Sequence, residues 1–239
     1  MRFEIHSHSM YSNLRLIDAI CKPRDLIKTA YDLGLSGIVL TDHESLSGHI
    51  DFIDAYNELK ESNYFQREFT YGLGNEIYLV DSRKDVEKYY HLILIAKNTQ
   101  GHEALRKLSS IAWYNAYYSR GLQRVPTTKK ELKAICEEYP NSLIISSACI
   151  GSEVAARTFE IIEAERRKDE ELIYSAKLKL FNLIQFFKEC VGDDFYLEVA
   201  PSASPDQKKY NKRIKEIAKS LGIKLVFGGD AHFLTAADR

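Results

Sequence analysis

Two histidines lie one residue apart near the start of the chain, at His6 and His8 in the stretch EIHSHSMYS. The residues before them read as a β-strand, and side chains at positions i and i+2 of an extended segment point to the same side. The two imidazoles can therefore aim ring nitrogens at one point, as a metal ion requires. An H-x-H pair alone occurs by chance in many loops, so its interpretation depends on the rest of the chain.

Imidazole, carboxyl and thiol groups recur at the ends of later apolar runs. GIVLTDH ends in Asp42 and His43, SSAC brings Cys149, and GGDAH places Asp230 and His232 two residues apart. The other groups of this kind lie within such runs, at Glu76 in GLGNEIY, His91 near the start of YYHLILIAK, and Glu198 in YLEV. Gathering so many ionisable groups in one pocket is costly without cations, whereas Zn or Mn takes N, O and S ligands of these types.

Seven strand-like runs alternate with helical patterns whose ends are legible. Pro23 begins the first helix and Gly34 closes it, and Gly222 closes the last one. TKKE from Thr128 and SPDQ from Ser204 each read as a capping box. The alternation and the length predict a parallel α/β barrel of about seven βα units, in which the carboxyl ends of the strands gather functional groups at one rim.

Composition narrows the class of protein. The 239 residues are 45% apolar and 28% charged, which fits one domain with a large core. Four scattered cysteines, without a C-x-x-C pair or a secretory leader pattern, predict a reduced, cytoplasmic protein. No apolar run approaches the roughly 20 residues that span a bilayer, so no membrane contact is expected. The net charge of −1 means that any nucleic-acid contact must be local or carried by metal ions.

The order of these blocks resembles the PHP (polymerase and histidinol phosphatase) family, specifically the domain that opens bacterial DNA polymerase III alpha subunits. HSHSMYS, LGLSGIVLTDHESLSG, GNEIYL, ISSACIGSEVA, DDFYLEVA and GGDAHFL follow one another as they do there. YHLILIAKNTQGHEALRKLSSIAW and the later YYSRG are similar to the polymerase branch rather than to the small phosphatases. The resemblance covers the whole chain and implies a distorted seven-stranded (βα)7 barrel. It predicts a single PHP domain over residues 1–239, as the amino-terminal part of a longer polymerase chain.

The resemblance also implies a site for two or three divalent ions, which would be Zn, Mn or Fe. Eight ligand positions match, at His6, His8, His43, Glu76, His91, Cys149, Asp230 and His232. A ninth, acidic ligand usually follows the second histidine by seven residues, where this chain has Arg15. Asp18 follows three residues later, and a short insertion would let it take that place.

Clustered divalent ions suggest hydrolysis of a phosphate ester, because they activate water and neutralise phosphate oxygens. Glu76 is the candidate carboxylate between two ions, with His43 and Asp230 completing the predicted catalytic set. Asp42 and Glu198 either orient ligands or have an ordinary structural role.

In a polymerase this chemistry predicts 3′→5′ exonucleolytic removal of nucleotides, with a single-stranded or mismatched DNA 3′ end and the remaining polymerase domains as partners. WYNAYYSRGLQR offers aromatic rings for stacking on bases, at Trp113, Tyr114, Tyr117 and Tyr118. Aromatic residues at helical spacing are, however, more often core or interface. The candidate phosphate contacts are Lys97, Arg120 and Arg124.

Two other functions stay open. One is a free-standing PHP phosphatase acting on small phosphomonoesters, and the polymerase-type blocks argue against it. The other is a non-catalytic domain whose metals stabilise the fold and support a polymerase, and the near-complete ligand set argues only against its metal-free form. His49 and His102, in helical stretches, are interpreted as surface histidines or as core histidines with satisfied hydrogen bonds.

Overall fold

The computed structural model describes residues 2–14, 18–84, 86, 88–119, 121–201, 204–235 and 238. The strands are β1 (Phe3–Ser7), β2 (Gly37–Leu40), β3 (Thr70–Val80), β4 (Tyr90–Ala96), β5 (Tyr117–Ser119), β6 (Leu122–Arg124), β7 (Pro126–Thr128), β8 (Leu143–Ser146), β9 (Phe195–Val199) and β10 (Leu225–Phe227). The helices are α1 (Pro23–Asp32), α2 (His49–Glu61), α3 (Thr99–Tyr114), α4 (Lys129–Glu138), α5 (Glu153–Arg167), α6 (Glu170–Val191) and α7 (Pro205–Leu221).

Seven strands form one continuous sheet in the order β1-β2-β3-β4-β8-β9-β10, and β7 adds to the far end of β3. The sheet curls until its two edge strands meet. Ser7 pairs with Ala231, where the His8 amide donates to the Ala231 carbonyl at 2.9 Å and the Ala231 amide donates to the His6 carbonyl at 3.1 Å. The result is a nearly closed seven-stranded barrel with seven helices, which confirms the predicted fold class.

One strand departs from the predicted parallel arrangement. β4 runs antiparallel to both β3 and β8, whereas the other pairings around the barrel are parallel. The connection from Val80 to Tyr90 is shorter than the dozen or so residues that a parallel crossover needs, so the chain returns as in a hairpin. The start of β4 therefore lies at the rim where the parallel strands end.

Alternation along β4 separates the inside of the barrel from its outer helical layer. Leu92 and Leu94 pack in the large cluster formed with the helices, whereas Ile93 and Ile95 pack with a small cluster inside the barrel. His91 has the same parity as Ile93 and Ile95, so its side chain also points inward. A third cluster of apolar side chains lies between α1, α2 and the first strands.

Helix ends agree with most of the sequence signals. Thr128 and Glu131 form the complete capping box of α4. Gly34 and Gly222 adopt positive φ values of 81° and 64° just beyond α1 and α7, a conformation that glycine reaches without strain. At Ser204 the second predicted capping box is not formed, because its side chain makes no capping hydrogen bond to α7.

The aromatic stretch after α3 is not helical throughout. α3 ends at Tyr114, and Tyr117–Ser119 pairs antiparallel with Leu122–Arg124 as a hairpin. The helical spacing on which the core or interface interpretation of these aromatic residues rests therefore applies only up to Tyr114. Gly121, between two short β-prone runs, is the turn signal in the sequence.

Candidate metal centre

The first two histidines approach one carboxylate oxygen. His6 and His8 are both fully buried, with ring centroids 5.1 Å apart. Their Nε2 atoms lie 3.4 Å and 3.2 Å from Oε2 of Glu76. The alternation of β1 thus brings both rings to one point, as the H-x-H spacing predicts.

Glu76 occupies the middle of the site. It lies in the middle of β3, is fully buried, and faces histidines with both oxygens. Oε2 is 2.8 Å from Nδ1 of His43, and Oε1 is 2.5 Å from Nδ1 of His91. Because β4 is antiparallel, His91 reaches this rim from the start of its strand.

The potential ligand atoms fall into three overlapping groups, in each of which they lie within 4.8 Å of one another. The groups found among the described residues are His8, His43 and His232; His6, His8, Glu76 and Asp230; and Glu76, His91 and Cys149. Glu76 belongs to two of the groups and His8 to two. The donor set combines imidazole, carboxylate and thiol, which is compatible with divalent transition metals.

Asp18 reaches the same rim from the segment before α1. Its Oδ2 lies 2.8 Å from Nε2 of His43 and 3.3 Å from Nε2 of His232. Hydrogen bonds from His232 and His43 hold the pKa of Asp18 well below its usual range. Asp18 therefore stands beside the histidine group, and its role as the ninth ligand stays a prediction.

The thiol of Cys149 closes the other side of the site. Its Sγ lies 3.6 Å from Nδ1 of His91 and accepts a hydrogen bond from the Gly151 amide at 3.4 Å. Burial raises the pKa of this thiol, and the charges of Glu76 and Asp230 raise it further. A bound cation would have to displace the thiol proton, since the thiolate is the metal ligand.

Hydrogen bonds determine which imidazole nitrogens are free for a cation. His6 donates from Nδ1 to Oε1 of Glu198 at 2.8 Å. His232 donates from Nδ1 to the Asp230 carbonyl at 3.1 Å, because a carbonyl can only accept. Nδ1 of His8 lies 3.2 Å from the Ser12 hydroxyl, which itself donates to Asp42 at 2.8 Å. These Nδ1 contacts leave Nε2 of all three rings facing the centre of the site, where a cation would replace any proton that the nitrogen carries.

Several buried atoms of the site have no hydrogen-bond partner within the described part of the chain. They are Nε2 of His6, Nε2 of His8, Nδ1 of His43 and both oxygens of Glu76. These atoms lie close together but are poorly aligned for bonding one another. Buried polar atoms without partners are rare and costly, so their convergence fits ligands that share cations.

Without cations, the carboxylates and the imidazoles stabilise one another in their charged forms. Burial alone raises the pKa of Glu76, but the charges of His91, His43 and His6 hold it well below its usual value. Burial lowers the pKa of His43, yet Glu76 and Asp18 raise it to about 10. Metal uptake would therefore have to release imidazole protons.

Two carboxylates support the ligands from behind. Glu198 holds His6 and accepts a hydrogen bond from the Ser146 hydroxyl at 2.6 Å. Asp42 accepts from the backbone amide and the hydroxyl of Ser9, at 2.6 Å and 2.8 Å, and is linked to His8 by hydrogen bonds through Ser12. These contacts fit the ligand-orienting role, one of the two that the sequence leaves open for Asp42 and Glu198, and that role stays a prediction.

Backbone strain concentrates at this rim. Six non-glycine residues in the described part of the chain have positive φ, and three of them belong to the site loops. Glu44 follows His43 at φ 52°, Ala148 precedes Cys149 at φ 60°, and Asp230 itself has φ 51°. Such conformations cost about 1–3 kcal/mol each and cluster where geometry serves function.

Sequence reasoning missed Tyr78. Its ring lies 5.8 Å from that of His43 and 5.0 Å from that of His91, between centroids. The available signal was its position two residues after Glu76, which places both side chains on one face of β3. Tyr78 therefore forms a wall of the site.

The structure separates the nucleic-acid candidates. Lys97 follows β4 at the end opposite to His91, and its Nζ lies 2.5 Å from Oδ2 of Asp194. Its predicted contact with a strand held at this site is therefore not supported, because β4 runs opposite to the expected direction. Arg124 lies near His91, with its guanidinium 4.9 Å from the ring centroid of Tyr89. Arg120 lies outside the described residues.

The aromatic candidates also differ from one another. The Trp113 indole donates to the Glu44 carbonyl at 2.7 Å and so holds the turn after His43. The Tyr117 hydroxyl lies 2.9 Å from that of Tyr89, whereas Tyr114 and Tyr118 are 91% and 79% exposed. Trp113 thus has a structural role, and the two exposed tyrosines have the exposure that stacking or an interface would need.

A family comparison agrees with this arrangement. The model of the PHP domain family matches residues 4–202. The chain belongs to the PHP family.

The most similar sequences include DNA polymerases. The chain is 37% identical over 243 residues to the probable DNA polymerase YorL of Bacillus subtilis, covering 98% of this chain and 19% of that protein. It is 33% identical to the DNA polymerase III subunit alpha of Borreliella burgdorferi, covering 98% of this chain and 18% of that protein. The chain is thus a PHP domain related to DNA polymerases, and it spans about one fifth of the length of these relatives.

Solved structures show the same fold at low sequence identity. A metal-dependent phosphoesterase from Bifidobacterium adolescentis superposes with a TM-score of 0.55 and 16% identity, covering 98% of this chain and 88% of that one. An amidohydrolase from Chromobacterium violaceum superposes with a TM-score of 0.56 and 13% identity, covering 97% and 88%. Within the described part of this chain, every helix is too short or too polar to cross a bilayer.

Proposed function

We propose that this PHP domain is a metal-dependent phosphodiester hydrolase that removes nucleotides from DNA 3′ ends. The observation that carries the proposal is the convergence of three ligand groups on Glu76 and His8, with buried nitrogen and oxygen atoms left without hydrogen-bond partners. The DNA polymerases among the relatives support DNA as the substrate. The remaining polymerase domains would be the partners of this domain in a longer chain.

The nine proposed ligands would form three cation-binding positions. His6, His8 and Asp230 would hold one cation with Glu76, and Asp18 would join His43 and His232 at a second position. His91 and Cys149 would hold a third cation with the other oxygen of Glu76. When bound, Zn, Mn or Fe ions supply an activated water and neutralise the charge of the phosphate.

The chain's own residues fix the geometry for that chemistry. Glu76 faces His43 with one oxygen and His91 with the other, so it would join the cations that these two ligand groups hold. Glu198 and Ser12 hold the Nδ1 protons of His6 and His8, which keeps each Nε2 directed into the site. His43 and Asp230 extend the set on either side of Glu76, in the catalytic roles proposed for them.

The test is a nuclease assay with purified protein, Mn or Zn, and a 5′-labelled primer that is single-stranded or carries a mismatched 3′ end. Glu76→Ala removes both facing oxygens and should lower the rate by about 10³-fold or more, equivalent to roughly 4 kcal/mol. The variant also controls for contaminating nuclease. Equal digestion by the variant, or no digestion by metal-loaded protein, would favour a non-catalytic domain stabilised by metals.

A further inference from the structure

A cavity of about 930 Å³ opens beside the metal centre, between the α5–α6 helices and the β5–β6 hairpin. His91 and Tyr78 line it and also face the ligand cluster, so the two spaces share a wall. Its volume lies at the upper end of the roughly 300–1,000 Å³ that is typical of ligand pockets. A molecule whose phosphate lay beside Glu76 and Cys149 could extend directly into this cavity.

The wall of the cavity next to His91 offers a fixed aromatic surface. Tyr89 lines the cavity, and its hydroxyl is held at 2.9 Å by that of Tyr117. Arg124 packs its guanidinium 4.9 Å from the Tyr89 ring centroid. Phe159 adds a second ring from α5. Rings held in this way can stack on nucleic-acid bases, which every base permits through its π-face.

The charges around the cavity leave positive groups for an anionic ligand. The acidic residues that line it are already engaged, since Glu160 pairs with Arg157 and Glu163 accepts from Arg167 at 2.8 Å. Arg124 and Lys88 also line the cavity, and neither forms an ion pair with any residue that the structure describes. Nε of Arg124 is buried and has no hydrogen-bond partner among the described residues. A phosphate at this guanidinium would pair with a cation that has no carboxylate partner in the described part of the chain.

We propose that the cavity binds the 3′-terminal segment of a single DNA strand, with a base against Tyr89 and backbone phosphates at Arg124 and Lys88. The inference rests on the proposed function, because it takes the strand that is hydrolysed as the ligand. A single strand is favoured over a duplex, because the faces of paired bases are covered by their stacked neighbours and cannot reach Tyr89.

The test is fluorescence anisotropy of the full chain, loaded with metal, with a 5′-fluorescein oligothymidylate whose linkages are phosphorothioates. A denaturing gel after each titration checks that the oligonucleotide is intact. Tyr89→Ala and Arg124→Gln should each weaken binding about tenfold. Arg124→Gln should also lower the slope of log affinity against log salt by about 0.7, whereas Tyr89→Ala should leave that slope unchanged.

Matched controls use residues of the same type that do not line the cavity. Arg106→Gln changes an exposed arginine on α3, and Tyr174→Ala changes a tyrosine on α6 that is 71% exposed. Both should bind the oligonucleotide as the wild type does, and melting curves check that all four variants are folded. If Tyr89→Ala melts early, Tyr89→Phe keeps the ring and should bind within about twofold of the wild type.

The outcomes separate this inference from the proposed function. Wild-type affinity in both Tyr89→Ala and Arg124→Gln, or a blunt duplex bound as tightly as the single strand, overturns the binding site. If the wild type digests DNA as the proposed function requires but binding does not respond to Tyr89→Ala or Arg124→Gln, only this inference is overturned. Binding that depends on Tyr89 and Arg124, without any shortening of an unmodified strand, supports the cavity and overturns hydrolysis.

Discussion

Two sets of buried histidines in this molecule have opposite electrostatic surroundings. At the rim, His6 is buried among carboxylates, and although burial lowers its pKa, the charges of Glu198 and Glu76 raise it well above its usual value. His49 is equally buried, but its partners are the Gly74 carbonyl and the ring of His102. There burial lowers the pKa to about 4.

The hydrogen bonds explain the difference. The Gly74 carbonyl can only accept, so His49 carries its proton on Nε2, and its Nδ1 accepts from Nε2 of His102. Both nitrogens of His49 are then satisfied by neutral groups. At the rim, Nε2 of His6 has no hydrogen-bond partner among the described residues. Burial alone does not mark a ligand, whereas a buried imidazole nitrogen without a partner beside carboxylates fits a cation site.

Glu76→Gln gives the largest expected contrast between the two sets. The change keeps the shape of the side chain but removes the charge that faces His43 and His91. We expect metal affinity to fall by more than about 100-fold, since even residues that only support ligands are worth about 10–100-fold. His49→Gln should leave affinity unchanged. Both variants are titrated with Zn or Mn, and their metal content is measured by elemental analysis after desalting. Equal metal content in Glu76→Gln and His49→Gln would contradict a central role of Glu76 in metal binding.

Removing the metal should destabilise the fold. Cations that bind only the native state at about 100 times their dissociation constant add about 2.7 kcal/mol. For a domain of this size that corresponds to roughly 5–10 °C in melting temperature. Chelation followed by a melting curve tests this, with metal loss checked by elemental analysis. The decrease should be the same in His49→Gln, and an unchanged melting temperature would contradict a structural contribution of the metals.

His49 should make the free energy of unfolding depend on pH, whereas the rim histidines should make it depend on bound metal. The folded pKa of about 4 is below the ordinary value near 6.5, so the unfolded chain takes up this proton first as pH falls. The contribution of neutral His49 is therefore complete above about pH 6.5 and is lost as pH falls towards 4, with a total of about 3 kcal/mol.

Urea unfolding of metal-loaded protein between pH 4.5 and 7.5 measures this dependence. The difference between wild type and His49→Gln isolates His49 from the titration of the rim. We expect that difference to grow with pH and to level off above about pH 6.5. A difference that is constant across the range would mean that His49 has an ordinary pKa in the folded protein.

The same contrast shows what the sequence could predict. Strand-like runs, helix ends and the spacing of His6 and His8 depend on local patterns, and the structure agrees with most of them, the capping box predicted at Ser204 being the exception. The direction of β4 depends on how the chain returns after β3, which periodicity does not carry. The unexpected direction explains why His91 reaches the site from the start of its strand and why Lys97 does not. Only the short connection between Val80 and Tyr90 could have indicated this.

Asp18 and Tyr78 differ in how far local sequence patterns could predict their positions. The position of Asp18 departs from the usual spacing, and the structure still places its carboxylate beside His43 and His232. A loop can absorb such a shift because its backbone is not tied to a periodic pattern. Tyr78 lies on a regular strand at i+2 from Glu76, so alternation alone would have found it. The roles of these residues in binding a cation or a substrate stay predictions.

Lys97→Ala should have the smallest effect, and it tests which rim holds the strand. Its ion pair with Asp194 is partly exposed, with side chains 33% and 28% accessible, so its loss should cost less than about 1 kcal/mol of unfolding free energy. Asp194→Ala should cost a similar amount. Because Lys97 lies at the opposite end of β4 from His91, its removal should leave oligonucleotide affinity within about twofold of wild type, whereas Arg124→Gln weakens it about tenfold. A loss of affinity in Lys97→Ala equal to that in Arg124→Gln would place the strand along the far rim, away from the metal centre.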